Sequence, residues 1–211
     1  LRGASGHFCA GADLKDMAAA RARLGEDPDA VMKVNAAFGD LCISYAGASL
    51  AVVAVLEGAV MGGGFGLACV TDVAIACENT VFRLPETSLG VLPAQIAPFL
   101  VERLGYAEAK RLAVTGSRIG AAEALQIRLV HEVHAAGVLD TALARVTGDI
   151  LHCAPGALAA TKALVSRARW EQPALLVHEA AQAFSRAALG PEGVEGMTAF
   201  LQKRKAKWTP Q

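Results

Sequence analysis

The sequence predicts an α/β fold with a parallel sheet. Residues 50–56 and Val73–Cys77 are continuous apolar runs rich in valine and alanine, the pattern of strands covered on both faces. Between them, residues 65–71 follow a cluster of glycines and have the composition of a buried helix. A strand, a helix and a strand in this order need a crossover connection, so we expect the two strands to pair in parallel.

The remaining elements are mostly helical. Residues 1–11 have the pattern of a strand end that leads into a glycine-rich loop, and we expect an N-terminal segment to precede Leu1. A short helix over 16–24 and an amphipathic helix that ends at Gly47 come next, the second because its apolar residues recur at helical spacing. After the second strand we expect helices at 98–104, 107–115, 121–128, 138–153, 157–170 and 178–189, a short strand at 129–133 and a last helix between 195 and 208.

The composition excludes several classes of protein. The 211 residues are 54% hydrophobic and 19% charged, with a mean hydropathy of +0.38, which excludes intrinsic disorder. Basic and acidic residues balance at 20 each, so no overall charge favours nucleic acid or anionic lipid as a partner. The longest apolar stretch, residues 49–71, contains a glutamate and five glycines, which argues against a membrane span. Five cysteines without a C-x-x-C pair argue against a disulfide framework or a zinc site, so we expect a cytoplasmic protein without a metal.

Three consecutive glycines, Gly62, Gly63 and Gly64, join a predicted strand to a predicted helix. The first N–H groups of a helix have no partner within the helix and lie at its positive end, so this turn could hold a phosphate or stabilise an oxyanion. The sequence lacks the lysine of a P-loop and the G-x-G-x-x-G spacing of a dinucleotide site. A tight turn that serves only strand–helix packing remains the alternative on the glycines alone.

Two further features could complete a site. Residues 7–15 form a second loop before a helix, and an amide from each loop would give an oxyanion hole two donors, while Asp13 could simply cap that helix. Glu86 follows Pro85 in a largely apolar neighbourhood. Partial burial there would raise the pKa of its carboxyl and suit it to proton transfer. An exposed loop glutamate without a catalytic role is the alternative.

These motifs occur in an order that resembles one superfamily. Residues 8–14, the three-glycine turn, the Pro85-Glu86 pair and the tail motif over 195–204 together resemble the enoyl-CoA hydratase/isomerase (crotonase) superfamily over nearly the whole chain. The resemblance implies a crotonase-like (ClpP/crotonase) spiral of β-β-α units with a helical C-terminal region. It assigns residues 1–140 to the spiral core and residues 141–211 to a C-terminal helical region that forms trimers.

The resemblance also implies which residues carry the chemistry. The N–H groups of Ala12 and Gly63 would bind the thioester oxygen of an acyl-CoA, and Glu86 would be the catalytic carboxylate. Ala10, Asp13 and Leu14 match positions that line the coenzyme A path.

The resemblance further implies a homotrimer or a dimer of trimers. In that assembly Phe200 and Lys203 would lie near the acyl-CoA of an adjacent subunit, while a role for Phe200 in its own subunit's core is the alternative. We expect no cofactor, because coenzyme A is part of the substrate, and we expect no nucleic-acid or membrane partner.

Two departures from the superfamily pattern bear on the substrate. Gly66 stands where hydratases carry their first catalytic glutamate, and we expect it to contribute to substrate binding by making room for a bulky group at the acyl β-carbon. Residues 89–98 resemble bacterial hydratases of 3-methylglutaconyl-CoA and isohexenylglutaconyl-CoA. Arg128 stands where a glycine is usual, and nothing in the sequence gives it a function.

The sequence therefore predicts an enoyl-CoA hydratase for a 3-branched, glutaconyl-type acyl group. Two alternatives stay open. A Δ3,Δ2-enoyl-CoA isomerase needs only one base, and a catalytically weak acyl-CoA-binding protein would follow if the lost carboxylate were essential.

Overall fold

The computed structural model describes residues 1–210 and, for Leu14, the backbone alone. Two compact units make up this part of the chain. The first comprises residues 1–46 and 52–143, and the second comprises residues 47–51 and 144–210. The predicted boundary at 140 lies three residues before this division; the trimer-forming role of the C-terminal region stays a prediction.

The first unit contains two three-stranded sheets. One sheet has the order β1 (Val53–Leu56), β3 (Val73–Cys77), β6 (Glu132–His134), and all its strands are parallel. The other has the order β2 (Ala59–Met61), β4 (Val81–Arg83), β5 (Arg118–Gly120), with β2 parallel and β5 antiparallel to β4. The chain alternates between the sheets from β1 to β4, so that two strands and a helix form each turn of a spiral.

The helices of the first unit follow the strands closely. They are α1 (Leu14–Ala22), α2 (Ala30–Ala46), α3 (Gly63–Cys69), α4 (Ala97–Thr115) and α5 (Ala121–Gln126), with a 3-10 turn at Glu86–Leu89 and another at Ala136–Val138. Helix α3 connects the strand pair β1–β2 to β3–β4, and Phe65 on α3 packs edge-on against Phe82 on β4 with ring centroids 6.0 Å apart. Both phenylalanines are fully buried, which places the core between the two sheets and α3.

The parallel crossover predicted from the sequence is confirmed. Val53 pairs with Val73 at the start of a parallel ladder between β1 and β3, with α3 between them in the chain. The strands β2, β4 and β5 were not predicted. Each is only three residues long, too short to show a hydrophobic period, and β2 ends directly at the glycine turn.

Several predicted boundaries are wrong by a few residues. Helix α3 begins two residues earlier than predicted, β6 lies three residues later, and the helices predicted at 98–104 and 107–115 are joined in α4. Gly105 still breaks α4, because its φ of 74° and ψ of 162° are not helical.

The second unit is helical. It contains the C-terminal part of α6 (Leu139–Leu151), and α7 (Pro155–Ala168), α8 (Pro173–Leu189) and α9 (Pro191–Leu201). The last three begin with proline, which suits the first turn of a helix because its missing N–H would have no partner there. Helix α8 therefore starts five residues before the predicted 178.

The predicted tail helix to residue 208 is wrong. Helix α9 ends at Leu201, and Lys203 adopts a left-handed conformation with φ of 52°. The chain then folds back, because the carboxylate of Glu195 accepts hydrogen bonds from the Arg204 guanidinium and from the Lys207 N–H. The basic residues of the tail thus lie beyond the helix. Across residues 1–210, the helices are all too short or too polar to cross a bilayer.

We expect Arg128→Gly to stabilise the protein. Arg128 is exposed and has a φ of 62°, a left-handed conformation that costs an L-residue about 1–2 kcal/mol and glycine very little. Glycine also loses more entropy on folding, so we expect a net gain of about 1 kcal/mol in the free energy of unfolding. Urea denaturation would measure this, with Arg128→Ala as the control that keeps the strain. An equal stability of the glycine and alanine variants would contradict the explanation.

Candidate active site

The three-glycine turn presents the start of helix α3. Gly62 has a φ of 51°, which favours glycine, and its N–H donates to Arg83 O at 3.0 Å. Helix α3 begins at the next residue, and among the described residues the Gly63 N–H has no hydrogen-bond acceptor. This unpaired donor lies at the positive end of a helix. The role of this N–H as an oxyanion donor stays a prediction.

A second loop runs beside this turn. Cys9 bridges Val60 in parallel fashion: the Cys9 N–H donates to Ala59 O at 3.1 Å and the Met61 N–H donates to Cys9 O at 2.9 Å. The chain then turns away at Gly11, which has a φ of 109°. The next residue, Ala12, is exposed, and its N–H donates to no acceptor in the described part of the chain.

The two loops touch, and glycine makes this possible. A Cβ atom built on Gly62 would lie 3.9 Å from Gly11 Cα, and one built on Gly64 would lie only 2.6 Å from Cys9 O. Residue 64 must therefore lack a side chain if the loop is to pack on α3. The structure brings the Ala12 and Gly63 segments together, as an oxyanion hole with two donors requires.

Glu86 is held at the edge of this junction. It is the first residue of the 3-10 turn Glu86–Leu89, whose ends are fixed by hydrogen bonds from the Val91 N–H to Glu86 O at 3.0 Å and from Ser88 Oγ to Pro85 O at 2.6 Å. Its Oε1 lies 3.0 Å from the position of a Cβ on Gly62. The carboxylate therefore points at the glycine turn, and the alternative of an exposed loop glutamate is wrong.

The Glu86 carboxylate has the character of a base. Its Oε2 is buried and has no hydrogen-bond partner among the described residues. Burial raises the pKa of this carboxyl, and a hydrogen bond from its own backbone N–H offsets only part of that effect. A carboxylate with one buried, unpartnered oxygen and a raised pKa readily accepts a proton from a bound molecule.

We expect the pH profile of catalysis to report this environment. Glu86 must be ionised to act as a base, so kcat/KM should fall on the acid side with a midpoint above the ordinary glutamate value of about 4.3. A series of kcat/KM measurements across the acid range would locate the midpoint. A midpoint at or below the ordinary value would contradict the assignment of Glu86 as the base in this environment.

The surroundings of Gly66 correct the expectation that this glycine makes room for a bulky group at the acyl β-carbon. A Cβ on Gly66 would overlap the γ2 methyl of Ile96 and lie 3.0 Å from its Cβ, and Phe38 Cε1 would be 3.7 Å away. The place next to Gly66 is thus filled by an apolar side chain of the protein and does not by itself leave room for the substrate. A glutamate at position 66 could not be accommodated beside Ile96 in this arrangement.

The predicted coenzyme A residues lie on the loop before α1. Ala10 is exposed, and Asp13 caps α1 by accepting a hydrogen bond from the Lys15 N–H at 2.8 Å. The capping role considered for Asp13 is therefore confirmed, and contact of either residue with coenzyme A stays a prediction. The side chain of Leu14 lies outside the described part of the structure.

The two predicted residues of the tail belong to the second unit. Phe200 on α9 is 84% exposed, so the alternative in which it fills the core of its own subunit is wrong. Lys203 is exposed just beyond the helix. Their role beside the acyl-CoA of an adjacent subunit remains a prediction.

Sequence reasoning did not identify the two side chains that cover α3. Phe38 belonged to the apolar face of a predicted helix, and Ile96 belonged to a segment noted only for its resemblance to particular hydratases. Neither pattern contains information about which glycine a distant side chain covers. The unusual pairing of Gly66 with a Pro-Ala-Gln-Ile segment was the available signal.

A carbonyl oxygen placed against the Ala12 and Gly63 amides would be polarised, and Glu86 could move a proton beside it. Together with the two-sheet spiral, this arrangement is compatible with an enzyme that acts beside a carbonyl group. The chain belongs to the enoyl-CoA hydratase/isomerase family, whose family model matches residues 1–211.

Individual relatives agree with this assignment. The structure is similar to Pseudomonas aeruginosa AtuE, at 51% identity and a TM-score of 0.95, covering 100% of this chain and 81% of that one. It is also similar to an enoyl-CoA hydratase/isomerase from Marinobacter aquaeolei, at 49% identity and a TM-score of 0.94 with the same coverage. A carnitinyl-CoA dehydratase from Proteus mirabilis (strain HI4320) is 33% identical over 206 residues, which are 95% of this chain and 76% of the relative.

These comparisons confirm three predictions from the sequence. They confirm the superfamily and the spiral fold with a helical C-terminal region. Relatives named as enoyl-CoA hydratases, from Arabidopsis thaliana at 30% identity over 97% of this chain and from Bacillus anthracis at 28% identity and a TM-score of 0.88, confirm the enzyme class, an enoyl-CoA hydratase. They also support an acyl-CoA thioester as the substrate.

Proposed function

We propose that the protein adds water to an α,β-unsaturated acyl-CoA that is branched at C3 and of the glutaconyl type. The observation that carries this proposal is the combination of a half-buried Glu86, whose Oε2 is buried and has no partner among the described residues, with an apolar side chain, Ile96, at the place of a second carboxylate. The product is the 3-hydroxyacyl-CoA.

The reaction uses the three groups at the junction. The amides of Ala12 and Gly63 bind the thioester oxygen, and Glu86 takes a proton from water as the hydroxide adds to C3. The electron pair of the C2–C3 double bond forms the C1–C2 double bond of the enolate, and the carbonyl π pair moves onto the thioester oxygen, where the two amides stabilise the negative charge. Each such donor contributes about 3–4 kcal/mol to lowering the barrier. The enolate then collapses as C2 receives a proton, from Glu86 or through water.

The apolar surroundings of α3 favour a branched acyl group. Phe38 and Ile96 present carbon atoms near Gly63 and Gly66, where a second carboxylate would otherwise hold water. A methyl branch buried against such a surface contributes about 0.8 kcal/mol of binding. The resemblance of residues 89–98 to hydratases of 3-methylglutaconyl-CoA and isohexenylglutaconyl-CoA supports the same class of substrate.

An isomerase is the second candidate. Moving a proton between C4 and C2 of an enoyl-CoA needs one base, and the structure places the Glu86 carboxylate at the glycine turn. A protein that only binds acyl-CoA fits less well, because an idle glutamate has no reason to keep a buried, unpartnered oxygen.

Mass spectrometry of the product, read together with its conjugated enoyl absorbance, separates these candidates. Incubation with 3-methylglutaconyl-CoA should give a product heavier by one water molecule. A product of unchanged mass with a shifted double bond would establish the isomerase, and unchanged substrate despite measurable binding would establish a binding protein.

We also propose a homotrimer or a dimer of trimers, located in the cytoplasm. The second unit leaves large apolar side chains exposed, which is unusual for a monomer. The four that are at least 75% exposed on α8 and α9 are Phe184, Leu189, Phe200 and Leu201. The cysteines are all free thiols, as suits a reducing compartment.

We expect Phe200→Asp to lower the oligomer size and the affinity for acyl-CoA. Because Phe200 is exposed in its own subunit, the change should leave the subunit's fold intact. Light scattering would report the oligomer and calorimetric titration the affinity, with Gln202→Asp as the exposed control on the same segment. A wild-type monomer at micromolar concentration, or a variant with unchanged assembly and affinity, would contradict the proposed role.

A further inference from the structure

We infer that Ile96 is the specificity-determining residue for the acyl group, and that a hydrogen bond between Gln95 and Asn35 holds it in place. This inference rests on the proposed function, because it assigns the part of the site that selects a branched acyl chain. It concerns residues that sequence reasoning left without a role.

Ile96 and Phe38 form one apolar surface on α3, here called the acyl wall. Ile96 is 3% exposed and covers Gly66, while Phe38 Cζ lies 3.1 Å from the position of a Cβ on Gly63. Phe38 also reaches the Gly66 side, with its Cε1 3.7 Å from the position of that residue's Cβ. The acyl wall therefore spans one full turn of α3.

The acyl wall lies next to the reacting atoms. Gly63 and Gly66 are three residues apart on a helix, so their Cα atoms lie on the same face. The Gly63 amide is the donor assigned to the thioester oxygen, and C3 of the acyl group is only two carbons from the thioester carbon. A substituent on C3 is therefore within reach of Phe38, which is half-buried, while Ile96 is 3% exposed and supports this face from the core side.

Gln95 ties the segment before α4 to helix α2. Its Nε2 donates to Asn35 Oδ1 at 2.8 Å, and its side chain lies across Gly39, where a Cβ would overlap Gln95 Oε1. Asn35, Phe38 and Gly39 share a face of α2, because they lie three and four residues apart. The carboxamide pair thus joins the two elements that supply the acyl wall.

The backbone fixes Ile96 from the other side. It is the N-cap residue of α4, and its carbonyl accepts a hydrogen bond from the Leu100 N–H at 2.9 Å. Ile96 is therefore anchored through its own carbonyl to α4 and through Gln95 to α2. A rigid apolar contact at this place favours the binding of an acyl group that is branched at C3, and it excludes a second carboxylate.

Binding of saturated thioesters tests the role of Ile96 without catalysis. Calorimetric titration with 3-methylbutyryl-CoA and butyryl-CoA gives the ratio of the two dissociation constants. We expect a wild-type preference for the branched ligand, and we expect Ile96→Ala to reduce that preference about fourfold, the effect of losing the burial of one methyl group. Ile96→Val, which keeps most of the side chain, should reduce it by less and in the same direction.

Ile119→Ala is the matched control. Ile119 lies on β5, is also 3% exposed and has no assigned contact with the substrate. We expect it to lower stability as a core truncation does, with an unchanged ligand ratio. A ratio that Ile96→Ala and Ile96→Val leave unchanged, or that Ile119→Ala changes equally, would overturn the inference.

Gln95 is tested as a positioning residue. Gln95→Ala should lower the preference for the branched ligand at least about twofold, because partial loss of one methyl contact has an effect of this size. Gln95 itself is not assigned a contact with the ligand. Gln95→Glu should restore most of the preference, because a carboxylate at 95 can accept from the Asn35 amide. If Gln95→Ala lost stability but kept the ratio of the two dissociation constants, Gln95 would have only a structural role. That result would overturn the inference that Gln95 positions Ile96.

Failure of this inference is distinguishable from failure of the proposed function. Saturated thioesters have no double bond to hydrate, so the ligand ratio is measured whether or not the protein is a hydratase. Hydration with an unchanged ratio in the Ile96 variants would overturn the inference alone, whereas an altered ratio without hydration would overturn the proposed function alone.

Discussion

Glu86→Gln should lower kcat by at least about a hundredfold while acyl-CoA binding stays within a few-fold. General acid–base groups contribute about 10²–10⁴ to the rate, and Glu86 is the carboxylate that the structure places beside the Gly62 turn. Glutamine keeps the size of the side chain but cannot accept the proton. Steady-state kinetics on 3-methylglutaconyl-CoA and titration with a saturated acyl-CoA would measure the two quantities.

The same substitution should raise the free energy of unfolding at neutral pH. The pKa of the Glu86 carboxyl is raised in the folded state because the group is buried, so its contribution to stability is fully present below the unfolded-state pKa. That contribution is lost as the pH rises through the raised, folded-state pKa. The advantage of the glutamine variant should therefore grow with pH across this window.

Glu78→Gln serves as the control for both measurements. Glu78 is an exposed glutamate between β3 and β4, and neither its kinetics nor its stability should depart from wild type. If Glu86→Gln retained more than about a tenth of the wild-type kcat, Glu86 would have no place in the mechanism.

Gly66→Glu should destabilise the protein and should not improve its activity on the branched substrate. Its Cβ alone would overlap Ile96, and overpacking of a core typically costs about 1–3 kcal/mol before the cost of burying a carboxylate is added. We expect a loss of about 3 kcal/mol or more in the free energy of unfolding. Chemical denaturation would measure the loss, and kcat/KM on 3-methylglutaconyl-CoA and crotonyl-CoA would measure activity.

The double variant Gly66→Glu/Ile96→Ala tests whether Ile96 causes the overlap. Removing the γ2 methyl gives the new side chain room, so the double variant should lose less stability than the two single variants added together. With a glutamate at position 66, kcat/KM for crotonyl-CoA should fall less than kcat/KM for the branched substrate, or should rise. A rise in kcat/KM for both substrates in Gly66→Glu alone would show that Gly66 is a defect in an otherwise ordinary hydratase.

The parts of the fold that could be predicted from the sequence were those with long, uniform patterns. The valine-rich strand β1, the strand β3 and the crossover between them follow from apolar runs and from the order of elements. The turn at Gly62–Gly64 also follows, because glycine readily adopts the positive φ that the turn needs at Gly62. The raised pKa of Glu86 follows from its apolar neighbourhood, because burial disfavours the ionised carboxyl.

The parts that could not be predicted depend on contacts between distant segments. The three-residue strands β2 and β4 are defined by their partners, since they carry no period of their own. The closeness of Ile96 to Gly66 joins positions 30 residues apart, and a single sequence shows only that both are unusual. The end of α9 depends likewise on the ion pair between Glu195 and Arg204, which stabilises a turn where the local sequence still favours helix.

Hydration removes the conjugated double bond of an enoyl-CoA, so a loss of enoyl absorbance shows whether the protein adds water to this class of substrate. The purified protein is incubated with 3-methylglutaconyl-CoA or crotonyl-CoA, and the conjugated enoyl absorbance of each is followed over time. We expect the absorbance to fall for both, with the larger kcat/KM for the branched substrate, and we expect Glu86→Gln to abolish the fall. An absorbance that stays constant with both substrates, while a saturated acyl-CoA still binds, would contradict the proposed hydration.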